Sequence, residues 1–267
     1  MKPAAIAAKY AAIGRMTLKN QVAYVADFFI RTIFYILIIY IFMQLWTATY
    51  NGEGGGTIAG FSFKQIVWYL IITEGITIAT PRLAARIEEE VKSGDVGYRL
   101  TRPVSYIGFH YVNYLGEAYL RFGINLLMGL ALGISMLGFP HFGYGWLGLL
   151  ALSLGALTVN FLLNMILALC AFWVEETRGL EFVYTKLLFT IGGMLMPLEI
   201  YPEAFQRVCV WLPFQTVLYF PAKAAVAFDQ VNLLNMLAIQ WFWIALFTGI
   251  VLFIYRKGVK KLNVNGG

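Results

Sequence analysis

The run FFIRTIFYILIIYIFMQLWTA, residues 28–48, is apolar over the full thickness of a lipid bilayer, and comparable runs recur along the chain. A hydrocarbon core about 30 Å thick accepts roughly 20 apolar residues as a helix, and it tolerates little other backbone geometry. Composition points the same way. Of the 267 residues, 60% are hydrophobic and 13% charged, against roughly 25% charged in a soluble domain. The expected fold is an all-α polytopic membrane protein, one domain over 1–267 with six transmembrane helices.

In chain order, residues 1–23 carry Lys2, Lys9, Arg15 and Lys19 among Ala, Ile and Tyr. Ile6, Tyr10 and Ile13 keep helical spacing, which predicts an interfacial helix with its basic residues toward anionic headgroups. Span 1 covers 28–48, with Asp27 and Arg31 placed to pair at i,i+4. Span 2 covers 63–80. A charged tract follows at 81–103, then an apolar region over 106–137 whose spanning part is 121–137. Span 4 is 146–172, span 5 is 182–196 and span 6 is 233–255. Prolines at 197, 202, 213 and 221 cut 197–225 into outer helices, each too short to cross.

Six spans put both termini on one side. That side carries four Lys or Arg before span 1, five in the tract (Arg82, Arg86, Lys92, Arg99, Arg102) and four after span 6 (Arg256, Lys257, Lys260, Lys261). The other side has Lys64, Arg207 and Lys223. The positive-inside rule therefore makes the termini and the tract cytoplasmic. It also accounts for the net charge of +6 without a nucleic-acid partner. Cys170 and Cys209 do not make a disulfide framework. No short apolar core followed by a small-residue cleavage site precedes span 1.

Motifs of catalysis are missing. There is no G-x-x-x-x-G-K-[ST] loop to cradle a nucleotide, no H-E-x-x-H and no G-x-S-x-G. His110 and His141 fall on opposite sides, which argues against a paired-histidine metal site. Glu74 sits near the middle of span 2 among Thr73, Thr77 and Thr80. A central carboxylate costs about 3 kcal/mol to insert, so it faces protein or water. It is either a proton or substrate site or a structural hydrogen-bonding group. His110, Asn113, Glu117, Arg121 and Asn125 form one polar stripe at spacings of three and four, and Glu117 can pair with Arg121. That stripe lines a vestibule or is an ordinary satisfied pair near the interface. Asn160 and Asn164 share a face of span 4 and suit interhelical hydrogen bonding. The candidate substrate path is Glu74, Thr73, Thr77, Asn160 and Asn164.

The tract PRLAARIEEEVKSGDVGYRLTRP is the longest charged segment. Its 82–91 portion suits a helix with Ile87 and Val91 on one face, and Glu88–Glu90 with Lys92 covering much of the rest. Gly94 suits a left-handed C-cap. Val96, Tyr98 and Leu100 then alternate with polar residues, an extended pattern stopped by Pro103. Such an element suits insertion into a groove of a cytoplasmic partner, or is a solvated loop.

The string IEEEVKSGDVGYRLTRPVSY, residues 87–106, resembles the loop after the second span of ABC-2 type permeases, closest to the ABC-2 family transporter proteins. GGMLMPLEIYPEAFQRVCVWLPFQTVLYFP, residues 192–221, and the tail YRKGVKKLNVNGG are similar to further parts of that family. The resemblance implies the membrane subunit of an ABC exporter in a bacterial cytoplasmic membrane. It implies a coupling helix in segment 81–104, carried by Arg86, Ile87, Glu88, Glu89, Glu90, Val91, Lys92, Gly94 and Asp95. It further implies two ATPase subunits, a second permease of the same or unlike sequence, and contact with membrane lipids. ATP and Mg would be held by the ATPase and no cofactor by this chain. The implied action is alternating-access export of an amphipathic or lipid-like molecule. A proton-coupled secondary transporter working through Glu74 is the alternative.

Overall fold

The computed structural model describes residues 3–265 except 24, 53, 55 and 175, with side chains described over 8–19 and 30–261 under the same exceptions. The proposed Asp27–Arg31 pair and the Ile6 position of the N-terminal face lie outside the described side chains. The described residues form eleven α-helices: α1 (Pro3–Ala23), α2 (Val25–Gly52), α3 (Phe63–Ala79), α4 (Leu83–Lys92), α5 (Asp95–Leu100), α6 (Tyr106–Leu137), α7 (Gly145–Leu169), α8 (Arg178–Thr190), α9 (Glu203–Val210), α10 (Tyr219–Val226) and α11 (Gln230–Asn265).

α3 and α7 are the hubs. In α3 every residue from Ile66 to Ile76 is buried, as expected of a helix apolar on all sides. It packs against α2, α6 and α10, while α7 packs against α11, α10 and α4. Glycines on the partners allow close approach. A Cβ on Gly133 of α6 would lie 2.4 Å from the Trp68 ring, and one on Gly145 of α7 would lie 2.2 Å from the Ala225 carbonyl oxygen. The outer helices expose their apolar residues instead. Ile30, Ile33, Phe34, Leu37, Ile41 and Leu45 line the open face of α2, the surface that lipid or another subunit covers.

Among the described residues, five stretches are long and apolar enough to cross a membrane: Ile30–Gly52, Phe63–Lys92, Tyr106–Leu137, Gly145–Phe172 and Gln230–Lys261. The expected span over 182–196 takes another form. α8 has 13 residues, about 20 Å at 1.5 Å per residue. The chain then turns at Ile191–Met196, where Gly193 adopts φ +72°. Beyond it, Pro197 and Pro202 precede a 3-10 turn at Leu198–Ile200 and α9. A second 3-10 turn at Pro213–Thr216 leads to α10. α6 is continuous from Tyr106, and α1 runs alongside its first turns, with Tyr10 against Gly108, Gly14 against Val112 and Thr17 against Gly116.

Candidate functional site

The charged tract begins where α3 must stop. Pro81 disfavours helical geometry at Thr80, which is extended at φ −63°, ψ 121°. α4 starts two residues later and packs against α7, α8 and the turn at Cys170–Phe172. Its inward stripe is Leu83, Ala84, Ile87 and Glu88, at helical spacing, with Glu90 also buried. Arg82, Ala85, Arg86, Glu89 and Lys92 face outward. Gly94, at φ +78°, turns the chain with a left-handed residue that glycine adopts at little cost.

The segment after Gly94 is a helix, α5, and not the expected extended strand. Val96 and Leu100 are four apart, so a period-two pattern also contains a helical pair. Val96 is buried and Leu100 half-buried, while Tyr98 projects with 66% of its surface exposed. Arg102 lies over the Tyr98 ring at 4.6 Å.

The acidic run also departs from the expected arrangement. Glu88 and Glu90 are turned into the protein and do not cover the outer face of α4. Glu88 Oε2 accepts the backbone N–H of Thr177 at 2.7 Å and its hydroxyl at 2.6 Å. Glu88 Oε1 accepts from Lys92 at 2.7 Å. Glu90 Oε2 accepts from the Tyr106 hydroxyl at 2.9 Å, and Glu90 Oε1 lies 3.2 Å from Arg99 Nε. Only Glu89 of the three is exposed. The nine coupling candidates thus divide. Ile87, Glu88, Glu90 and half-buried Val91 anchor the segment, Arg86 is exposed yet bonded to Glu117, and Glu89, Lys92, Gly94 and Asp95 are presented to solvent.

The anchors extend into α6. Arg86 donates to Glu117 Oε2 at 2.9 Å, and Arg121 approaches Glu117 Oε1 at 2.6 Å. Asn125 donates to the Gly75 carbonyl of α3 at 3.1 Å, and Thr17 of α1 bonds Asn113. Asn113, Glu117 and Asn125 of the polar stripe on α6 are therefore wired to α1, α4 and α3, each contact replacing a hydrogen bond that lipid cannot supply.

Of the candidate path residues, Thr77, Asn160 and Asn164 converge on one cavity of about 240 Å³ between α3, α7 and α8. Asn160 donates to the Thr80 hydroxyl at 2.9 Å and accepts from Tyr184 at 2.5 Å, and Asn164 donates to Asn160 Oδ1 at 2.9 Å. Arg82 and Glu181 add charge to the wall. Thr73 and Glu74 do not join it. Thr73 donates to the Met194 carbonyl at 2.8 Å. Glu74 is 2% exposed, and its Oε1 finds no hydrogen-bond partner among the described residues. Sequence reasoning noted Thr80 only as a neighbour of Glu74 and missed Tyr184, and both line the cavity. It also missed Gln65 and Tyr69, which with Thr73 form an i,i+4 row on α3. Gln65 donates to the Val226 carbonyl at 2.9 Å, and Tyr69 donates to that of Gly193.

A search of curated proteins finds no match to the chain. The profile of the ABC-2 family transporter proteins matches residues 33–266, so it takes in the hub helices, the α4–α5 segment and the outer turns alike. The chain belongs to the ABC-2 transporter family, the membrane permeases of ABC exporters.

Proposed function

We propose that this permease is driven by separate ATPase subunits that dock on the outward face of α4 and α5. One observation carries the reading: an exposed face of Arg86, Glu89, Lys92, Asp95 and Tyr98 sits on a segment rigidly wired to the rest of the chain. Glu88 ties α4 to Thr177, the residue before α8, and Arg86 and Glu90 tie it to α6. A push on α4 therefore reaches α8, whose Tyr184 and Leu188 border the cavity. A packed unit of this kind moves as a body between two states, which supports alternating access.

In this reading two ATPases bind ATP and Mg, and two permeases, alike or unlike, enclose the route. The termini and α4–α5 lie in the cytoplasm of a bacterial cell, following the Lys and Arg asymmetry. α8 with the turns and short helices up to α10 completes the sixth crossing. The cargo is amphipathic or lipid-like, in keeping with a cavity walled by Asn160, Asn164 and Thr77 on one part and Leu188, Met194 and Leu218 on another.

The test is gentle solubilisation of the tagged chain from its native membrane. An ATPase is expected to co-purify, and Glu89→Arg with Tyr98→Ala is expected to release it without aggregating the permease. Recovery of the chain alone in several mild detergents, or retention of the ATPase by that double variant, would count against docking here.

A further inference from the structure

A second cavity, of about 230 Å³, lies between α1, α4, α5 and the first turns of α6. It is distinct from the cavity beside α8 and shares no lining residue with it. Its lining is rich in hydrogen-bond donors: Arg86, Arg99, His110 and Asn113. Ile13, Met16 and Phe109 add an apolar part to the lining.

The donors have capacity to spare. Arg86 gives one N–H to Glu117, out of five that a guanidinium carries. Arg99 sets its Nε beside Glu90 and its guanidinium carbon 5.2 Å above the Phe109 ring. His110 is 1% exposed, and its Nδ1 makes no hydrogen bond among the described residues. Its Nε2 stands 3.3 Å from Glu90 Oε2, which already accepts from Tyr106.

Charge sets the sign of that ligand. Two guanidinium groups and one carboxylate, Glu90, line the cavity. Glu117, behind Arg86, is matched by Arg121 at 2.6 Å. The balance favours an anion, and planar guanidinium groups fit phosphate oxygens two at a time. The apolar part favours an anion attached to hydrocarbon. Met16 is 65% exposed, so that part opens outward rather than sealing the void.

We propose that this cavity binds the phosphate group of an anionic phospholipid, with its acyl portion leaving along Ile13, Met16 and Phe109. Basic pockets between membrane helices hold headgroups in this way. The bound lipid would fasten α1 to the α4–α5 segment. The inference requires only that the chain sits in a bilayer, so it stands or falls separately from ATPase docking.

The test uses the full chain, purified in neutral detergent with any co-purifying subunits. Phosphatidylglycerol, phosphatidylcholine or inorganic phosphate is titrated while the thermal unfolding midpoint is followed. Phosphatidylglycerol is expected to raise the midpoint saturably, with at least ten-fold tighter binding than phosphatidylcholine, whose choline cation meets Arg86 and Arg99. Inorganic phosphate, lacking the acyl portion, is expected to be weaker still. Arg99→Gln is expected to weaken the phosphatidylglycerol effect at least ten-fold. Ile13→Trp fills the cavity without touching an ion pair and is expected to abolish the effect while the lipid-free midpoint is kept. Equal shifts with the two lipids would overturn the proposal. So would a full effect of inorganic phosphate alone, or an unaltered phosphatidylglycerol response in Ile13→Trp.

Discussion

Replacing Glu88 by alanine tests whether α4 is held from within. The Glu88 side chain is 7% exposed, and one oxygen accepts both the N–H and the hydroxyl of Thr177, itself 0% exposed. A hydrogen bond to an ionised group contributes about 1.5–3 kcal/mol, and stranding a buried N–H costs about 1–3 kcal/mol. Both donors share one acceptor, so the terms do not add in full, and the expected loss is about 3 kcal/mol. The half-exposed Lys92 at i,i+4 adds only a few tenths of a kcal/mol. For a chain of this size each kcal/mol moves a midpoint by about 2–4 °C, which gives a fall of about 6–12 °C. The assay is the fraction of monodisperse protein remaining after heating in mild detergent. Glu89→Ala is the control, since an exposed side chain should change stability by less than about 0.5 kcal/mol. Equal midpoints for the two variants would refute the division of the acidic run into an anchor and a presented residue.

Four other perturbations follow from the structure. Gly133→Ala places a methyl 2.4 Å from Trp68, an overpacking that costs about 1–3 kcal/mol. Gly123→Ala, with nothing within 4 Å, should stabilise by about 0.5–1 kcal/mol; the same heating assay reads both signs. Tyr69→Phe combined with Thr73→Val should raise amide hydrogen exchange over 191–196 while leaving α7 protected, and unchanged exchange there would contradict the anchoring role. Glu74→Gln should preserve vanadate-sensitive transport in vesicles; its abolition, with transport persisting in the absence of nucleotide, would favour a proton-coupled carrier.

Long apolar runs were legible because each is a statement about solvent, independent of neighbours. The helix break at Pro81 and the reversal at Gly94 were legible because they depend on local backbone sterics. The direction of Glu88, Glu89 and Glu90 was not. Consecutive residues on a helix point about 100° apart, so the sequence places them on different faces without saying which face meets α7. The clue was present in Ile87 and Val91: a stripe through 83, 84, 87 and 91 carries position 88 inward with it. Tyr98 misled for a related reason, because six residues are too few to separate period two from period four.

The short α8 exposes a constraint that composition conceals. Backbone at Ile191–Met196 leaves the helix at membrane depth in the proposed arrangement, and irregular backbone survives there only where protein satisfies it. α3 supplies that satisfaction. Tyr69 and Thr73 donate to the carbonyls of Gly193 and Met194, and Gln65 does the same for Val226 at the end of α10. Side-chain amides elsewhere do the same, with Gln206 bonding the Glu199 and Tyr201 carbonyls and Gln215 that of Val210. Thr73 thus shares one bonding row with Gln65 and Tyr69, besides standing next to Glu74. A polar row at four-residue spacing on the most buried helix is expected wherever an adjoining segment breaks its own hydrogen bonds. The position that remains unaccounted for by this rule is Glu74, one residue off the row and with one oxygen unmatched, which is why its substitution separates the two transport chemistries.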